Sequence, residues 1–217
     1  MTTSLWSEGL HDTASRILDA SADLFAAQGF RGTTVKEITE RCGITQAALY
    51  VYFPSKDAVL AELINVGHAE LTRRLDEAEA KSGTADPRAW LRALVAGLVE
   101  YATGQTVIAR VADREWQALN EPQRSKVVEL RRDVRRRFEA AVAACMDAKM
   151  FPLSEATTEV VGSYRARMLA TAIIDMGLGI VNWYDPARSI ATQGLISGYQ
   201  DIVLAMAGPA PKARKRS

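Results

Sequence analysis

Between residues 33 and 56 the chain reads TTVKEITERCGITQAALYVYFPSK, and its breaks leave little freedom in how the stretch folds. Thr34 and Glu37 form a T-x-x-E capping box that opens a helix, and Gly43 ends it. A second short helix spans about 45–52. Pro54 stops it, because proline disfavours helix in the residue before it. Ser55 then caps a longer helix reaching to about Lys81. Two short helices joined by a glycine turn, with a further helix capped at once, are the layout of a helix-turn-helix. That arrangement places one helix in the major groove of DNA.

Most of the remaining chain also has helical period, and no alternating strand pattern stands out. A first helix is expected over about 9–28, with Ile17, Leu18, Ser21, Leu24, Phe25 and Gln28 on one face and Gly29 as its stop. Asp86-Pro87 starts a helix to about residue 103, since Asp caps and Pro fits the first helical position. A more broken helical segment covers 105–119. Asn120 and Pro122 open a long helix to about Met150, Ser154 begins another that ends near Tyr184, and Asp185-Pro186 starts a last one running to Met206. The expected fold is all-α with about nine helices. Residues 1–56 form a three-helix DNA-reading domain, 57–207 a second helical domain, and 208–217 a basic Pro/Ala/Lys/Arg tail that reads as disordered. The tail's Lys212, Arg214, Lys215 and Arg216 read as solvated, with nonspecific DNA affinity as the alternative.

Charge and chemistry narrow the function classes. The 217 residues carry a formal net charge of +1, which argues against a nonspecific nucleic-acid coat protein. Residues 1–56 are not net basic: Arg16, Arg31, Lys36, Arg41 and Lys56 stand against Glu8, Asp12, Asp19, Asp23, Glu37 and Glu40. The face each charge occupies therefore matters more than the sum. Cys42 and Cys145 lack ligand spacing, and His11 and His68 share no pattern with a Cys or carboxylate, so no metal site is expected. No phosphate loop and no nucleophile-with-base grouping occurs, so an enzyme reading has nothing behind it. The N-terminus lacks the pattern of a signal peptide. The apolar run over 168–184 is broken by Asp175 and Asn182 and falls short of the roughly 20 residues that span a bilayer. A cytoplasmic protein with no membrane segment and no cofactor is expected.

The stretches FRGTTVKEI (30–38) and GITQAALYVYFPSK (43–56) resemble the N-terminal domain of the tetracycline-repressor (TetR) family of bacterial regulators, including its LY-x-x-F-x-S/N-K signature. The residues agree with that resemblance. Thr45, Gln46 and Ala47 begin the third helix, where side chains reach base edges; Gln pairs bidentately with adenine and an Ala methyl touches a thymine methyl. Tyr50 and Tyr52 carry hydroxyls suited to phosphates. Thr34 and Lys36 begin the second helix and Lys56 the fourth, and helix N-termini favour phosphate. The resemblance assigns phosphates to Thr34, Tyr50, Tyr52 and Lys56. Half-buried packing for the tyrosines and a bare cap for Thr34 are the plainer alternatives.

For the second domain, the resemblance implies an effector pocket and a homodimer built on the last two long helices, acting on a palindromic double-stranded operator. Val160, Val161, Tyr164, Met168, Ala172, Ile173, Met176, Ile180 and Val181, then Ile190, Leu195, Ile202, Val203 and Met206, are too apolar for one narrow buried stripe. Gly177, Gly179, Gly194 and Gly198 weaken these helices, and close helix–helix approach would compensate. Asp175, the run Asn182-Trp183-Tyr184-Asp185-Pro186 and the following Gly198-Tyr199 look like a subgroup that senses coenzyme A thioesters in lipid or steroid catabolism. Ile174 and Asn182 stand where its steroid-thioester sensors tend to carry arginine, which counts against a steroidal ligand. Arg110, Trp116, Asp175 and Asn182 are the candidate polar ligand contacts. Arg131, Arg132, Arg135, Arg136 and Arg137 could meet coenzyme A phosphates, or form a solvated face. The implied function is a ligand-responsive repressor whose effector is a small molecule of the acyl-coenzyme A class. An activator or a ligand-independent regulator of the same fold is the alternative.

Overall fold

The computed structural model describes residues 12–148, 164–185, 187 and 190–206, and every regular element among them is helical. The helices are α1 (Asp12–Gly32), α2 (Val35–Cys42), α3 (Gln46–Tyr52), α4 (Lys56–Ser82), α5 (Pro87–Gly104), α6 (Thr106–Arg114), α7 (Gln123–Asp147), α8 (Arg165–Leu178) and α9 (Thr192–Met206). Single 3-10 turns cover Trp116–Ala118 and Gly179–Asn182. No described helix is long and apolar enough to cross a membrane. The expected tail and the expected helix start at Ser154 lie outside the described residues.

The chain divides into two compact units, the first holding residues up to Leu71 together with Gly104–Arg131. Its core is assembled from Ile17, Leu18 and Phe25 of α1, Ile38 of α2, Leu49 of α3 and Val59, Leu60, Leu63 and Ile64 of α4, all essentially inaccessible to water. Each such side chain contributes about 1.5–3 kcal/mol by leaving solvent. Gly29 interrupts α1 with φ 79, a conformation that a side chain would strain, and Phe30 just beyond it meets Phe25 edge to face at 5.4 Å. The helix thus breaks at the expected residue, but one more turn follows it. α6 packs on α1, with Val111 and Ala112 buried in the same core. This compact unit therefore takes in a helix from the middle of the chain, which covers α1.

The second unit takes Thr72–Thr103 and the chain after Arg131. Asp86 caps α5 by accepting the N–H groups of Arg88 and Ala89 at 2.9 and 3.3 Å. Arg137 of α7 binds Asp76 at 2.5 Å and Glu79 at 3.3 Å on α4. The Trp90 indole of α5 donates to Glu79 at 3.0 Å. α9 is tied to α5 by a reciprocal pair: Arg92 donates to Gln200 Oε1 at 2.8 Å, and Gln200 Nε2 donates to the Arg92 carbonyl at 2.9 Å. α9 starts later than the Asp185-Pro186 signal predicts. Asp185 accepts the Ala187 N–H at 2.9 Å in a local turn, and the helix begins at Thr192.

Candidate nucleic-acid interface

The capping box predicted from Thr34 and Glu37 is complete. Thr34 Oγ accepts the Glu37 N–H at 3.2 Å, while the Glu37 carboxylate accepts the Thr34 N–H and hydroxyl, each at 2.7 Å. Gln28 Nε2 adds a bond to Glu37 at 3.2 Å. The Thr34 hydroxyl first, then its N–H and Gln28, hold the Glu37 carboxyl below its ordinary pKa. The N-terminus of α2 thus already carries an anion of its own. Lys36, in the first turn, is exposed and meets Glu40 at only 3.7 Å, a pair that solvent screens. Other acids at this end are also engaged, Asp23 with Arg41 at 2.9 Å.

Gly43 turns the chain with φ 66, in the left-handed region, and Thr45 caps α3 by accepting the Ala48 N–H at 3.1 Å. Leu49 is driven fully into the core, and Ile44 and Tyr52 pack beside it. That anchoring turns Gln46, Ala47, Tyr50 and Val51 outward together on one exposed face. The sequence reading named Thr45, Gln46, Ala47, Tyr50 and Tyr52 for DNA. The structure brings the first four to the surface and leaves Tyr52 half-buried. It also adds Val51, which is 79% exposed. Val51 lies four residues after Ala47, and this helical spacing, continued along α3, would have found it.

Lys56, which the resemblance assigns to phosphate, turns its ammonium toward the protein's own backbone. Its Nζ donates to the carbonyls of Phe30 and Thr33 at 2.8 and 2.5 Å and lies 4.3 Å from the centre of the Phe30 ring.

The candidate ligand contacts separate. Arg110 and Trp116 belong to the first unit, Asp175 and Asn182 to the second. Trp116 packs against the first unit's core, with the Arg131 guanidinium 5.2 Å from its ring centre and Arg131 bonded to Asp113 at 3.3 Å. Asp175 and Asn182 are exposed. Of the arginine run, Arg135 meets Glu139 and Arg136 meets Asp133, both at 3.3 Å, and Arg137 sits among Asp76, Glu79 and Asp133. An open cleft of about 240 Å³ between α4 and α5 is rimmed by Arg74, Glu77, Lys81 and Glu100, and none of the four candidates lines it. His68 on α4 is buried, its Nε2 has no hydrogen-bond partner, and burial followed by the nearby Arg131 charge lowers its pKa to about 4. Among the described residues no cluster of His, Cys, Asp and Glu could hold a metal ion.

With this geometry in place, comparison with known proteins identifies the class. Residues 17–63 match the model for bacterial regulatory proteins of the tetR family, and residues 84–207 match the tetracyclin repressor-like C-terminal domain. The chain belongs to the TetR family and is a transcriptional regulator, as its relatives are, rather than an enzyme. It is 27% identical over 191 residues to the transcriptional repressor KstR2 of Rhodococcus jostii, covering 88% of each chain. The ketosteroid transcriptional regulator KstR2 of Mycobacterium tuberculosis has the same fold (TM-score 0.78, 22% identity, 92% of this chain and 96% of that one). So does AibR, solved in complex with isovaleryl coenzyme A and operator DNA (TM-score 0.73, 20% identity, 88% and 97%). Several Bacillus subtilis regulators match over 49 to 66 residues, and the chain spans a third or less of their length.

Proposed function

We propose that this regulator is a ligand-responsive repressor that acts as a homodimer on a palindromic operator. The observation that carries the reading is the outward face of α3. A short helix pinned at Leu49 and capped at Thr45 presents Gln46, Ala47, Tyr50 and Val51 together. Thr45, Gln46 and Ala47 read base edges, Ala47 and Val51 offering apolar surface to thymine methyls. Thr34, Lys36, Tyr50 and Tyr52 serve phosphates, with Lys36 carrying most of the charge because Glu37 already occupies the α2 N-terminus.

The dimer reading is supported by the surface of α8 and α9. Tyr164, Met168, Ile190, Ile202 and Met206 are each between 41% and 66% exposed in the protomer. A Cβ added at Gly198 would meet no atom within 4 Å. Large apolar side chains beside bare backbone form a surface that a second copy covers well.

The effector is a small molecule of the acyl-coenzyme A class, bound within the division 57–207. AibR, solved with isovaleryl coenzyme A, supports this class, and the engaged arginines of α7 lend it no weight. The effector must bind the DNA-incompetent state more tightly, or it shifts nothing. Residues 1–56 read DNA, and the protein works in the cytoplasm.

The test is binding of the purified protein to the DNA immediately upstream of its own coding sequence, with and without a panel of acyl-coenzyme A thioesters. Release by one chain-length class is the expected result. Tight binding that no thioester alters would discard the thioester and favour an activator or a ligand-independent regulator.

A further inference from the structure

Lys56 lies at the start of α4, directly after the Pro54-Ser55 break, where its ammonium could face either DNA or the protein. An ammonium has three N–H donors and no acceptor. Two are taken by the carbonyls of Phe30 and Thr33, at 2.8 and 2.5 Å. The remaining side of the charge is set against the Phe30 ring, 4.3 Å from its centre, which is within cation–π range. These partners lie on the segment that leaves α1 after the Gly29 break and enters the α2 cap at Thr34. Thr33 is buried, and its own hydroxyl bonds back to the Gly29 carbonyl at 2.9 Å.

We propose that Lys56 is a positioning residue, a clasp that fixes the α1–α2 corner to the start of α4, and not a phosphate contact. It acts on DNA through Thr34 and Lys36, whose placement depends on that corner. Without the clasp the Thr33 carbonyl loses its ammonium donor and the Phe30 carbonyl keeps only the Thr33 N–H at 3.3 Å, the Phe30–Thr34 segment loosens, and α2 no longer presents its first turn at a fixed height. Arginine is a poor substitute, because its planar fork is longer and cannot converge on two carbonyls and a ring as a compact ammonium does.

This rests on the DNA-binding reading, and the experiment has arms that fail separately. Wild type, Lys56→Met, Lys56→Arg and Lys36→Met are titrated by anisotropy with a labelled duplex of the protein's own upstream DNA at several KCl concentrations. Amide exchange is followed in the same proteins without DNA. A clasp predicts that both Lys56 variants weaken binding by about tenfold or more with a salt slope parallel to wild type. Lys36→Met, by contrast, loses about 0.9 of slope, the signature of one lost phosphate contact. Exchange at residues 33–37 should quicken in both Lys56 variants, with α5 unchanged. Wild-type affinity in Lys56→Arg, or a slope reduced by about 0.9 in Lys56→Met, would overturn the proposal and make Lys56 a direct contact. Should wild type ignore the duplex, the upstream-operator reading fails, and exchange at 33–37 still decides the clasp: faster exchange upholds it and unchanged exchange sinks it.

Discussion

Gly177 on α8 faces Leu98 on α5 so closely that a Cβ placed on the glycine would stand 2.4 Å from Leu98 Cδ2. Both positions are buried, and the leucine has little room to withdraw. Gly177→Ala should therefore destabilise the protein by about 1–3 kcal/mol through overpacking, outweighing the helix propensity that alanine gains. Urea unfolding measures this directly. A higher midpoint in the variant would mean that the two helices can separate at no penalty.

The apolar surface of α8 and α9 yields a second expectation. Ile202 is 49% exposed in the protomer, so Ile202→Glu should leave the fold intact. If a second copy covers that surface, the carboxylate is buried without a partner and the dimer dissociates. Sedimentation should then report half the mass, with loss of cooperative binding to a two-half-site duplex. A variant that sediments like wild type would place the dimer contact elsewhere.

A pH effect follows from His68. Its folded pKa of about 4 lies below the ordinary value of 6.5, so in that interval the unfolded chain binds the extra proton. The contribution to stability is complete above about pH 6.5 and is lost progressively as pH falls toward 4, by on the order of 3 kcal/mol in all. His68→Leu should flatten the pH dependence of the urea midpoint across that window. An equally steep dependence in the variant would assign it to other groups.

For base reading, Gln46→Ala should cost about 1–3 kcal/mol if the amide pairs bidentately with adenine, with preference relaxed at a single operator position. Competition binding against a set of single-base operator variants reads this out. A uniform loss across all variants would instead point to a phosphate contact.

How much of this was legible in advance depended on the range of the interactions involved. The T-x-x-E box, the Gly43 turn, the Asp86-Pro87 start and the Gly29 break are each decided within a few residues, and the chain announces them. The dense match of 30–56 to the family likewise places Gln46 and Ala47 correctly on the exposed face of α3. Lys56 is different. Its partners lie 23 and 26 residues earlier in the chain, and nothing local distinguishes an inward ammonium from an outward one. The cover that α6 gives α1 is a tertiary fact of the same kind, and no local signal announces it. At Asp185 a local signal was present but weaker than it looked, because an aspartate followed by proline caps a turn as readily as a helix.

The exposed positions leading into and along α9 recur at a fixed interval of four: Ile190, Gly194, Gly198, Ile202 and Met206. Four residues overshoot a 3.6-residue turn, so such a row does not run parallel to the helix but winds across it at about −26°. Two copies meshing through the same row would cross at about −50° instead of lying side by side. Their nearest point would fall at Gly198, where an added Cβ would meet no atom within 4 Å, whereas the Ile190 side chain already covers Gly194, and the larger Ile202 and Met206 would fill the widening gap beyond it. The handedness of that crossing is thus written into a spacing, independently of any single contact made across it.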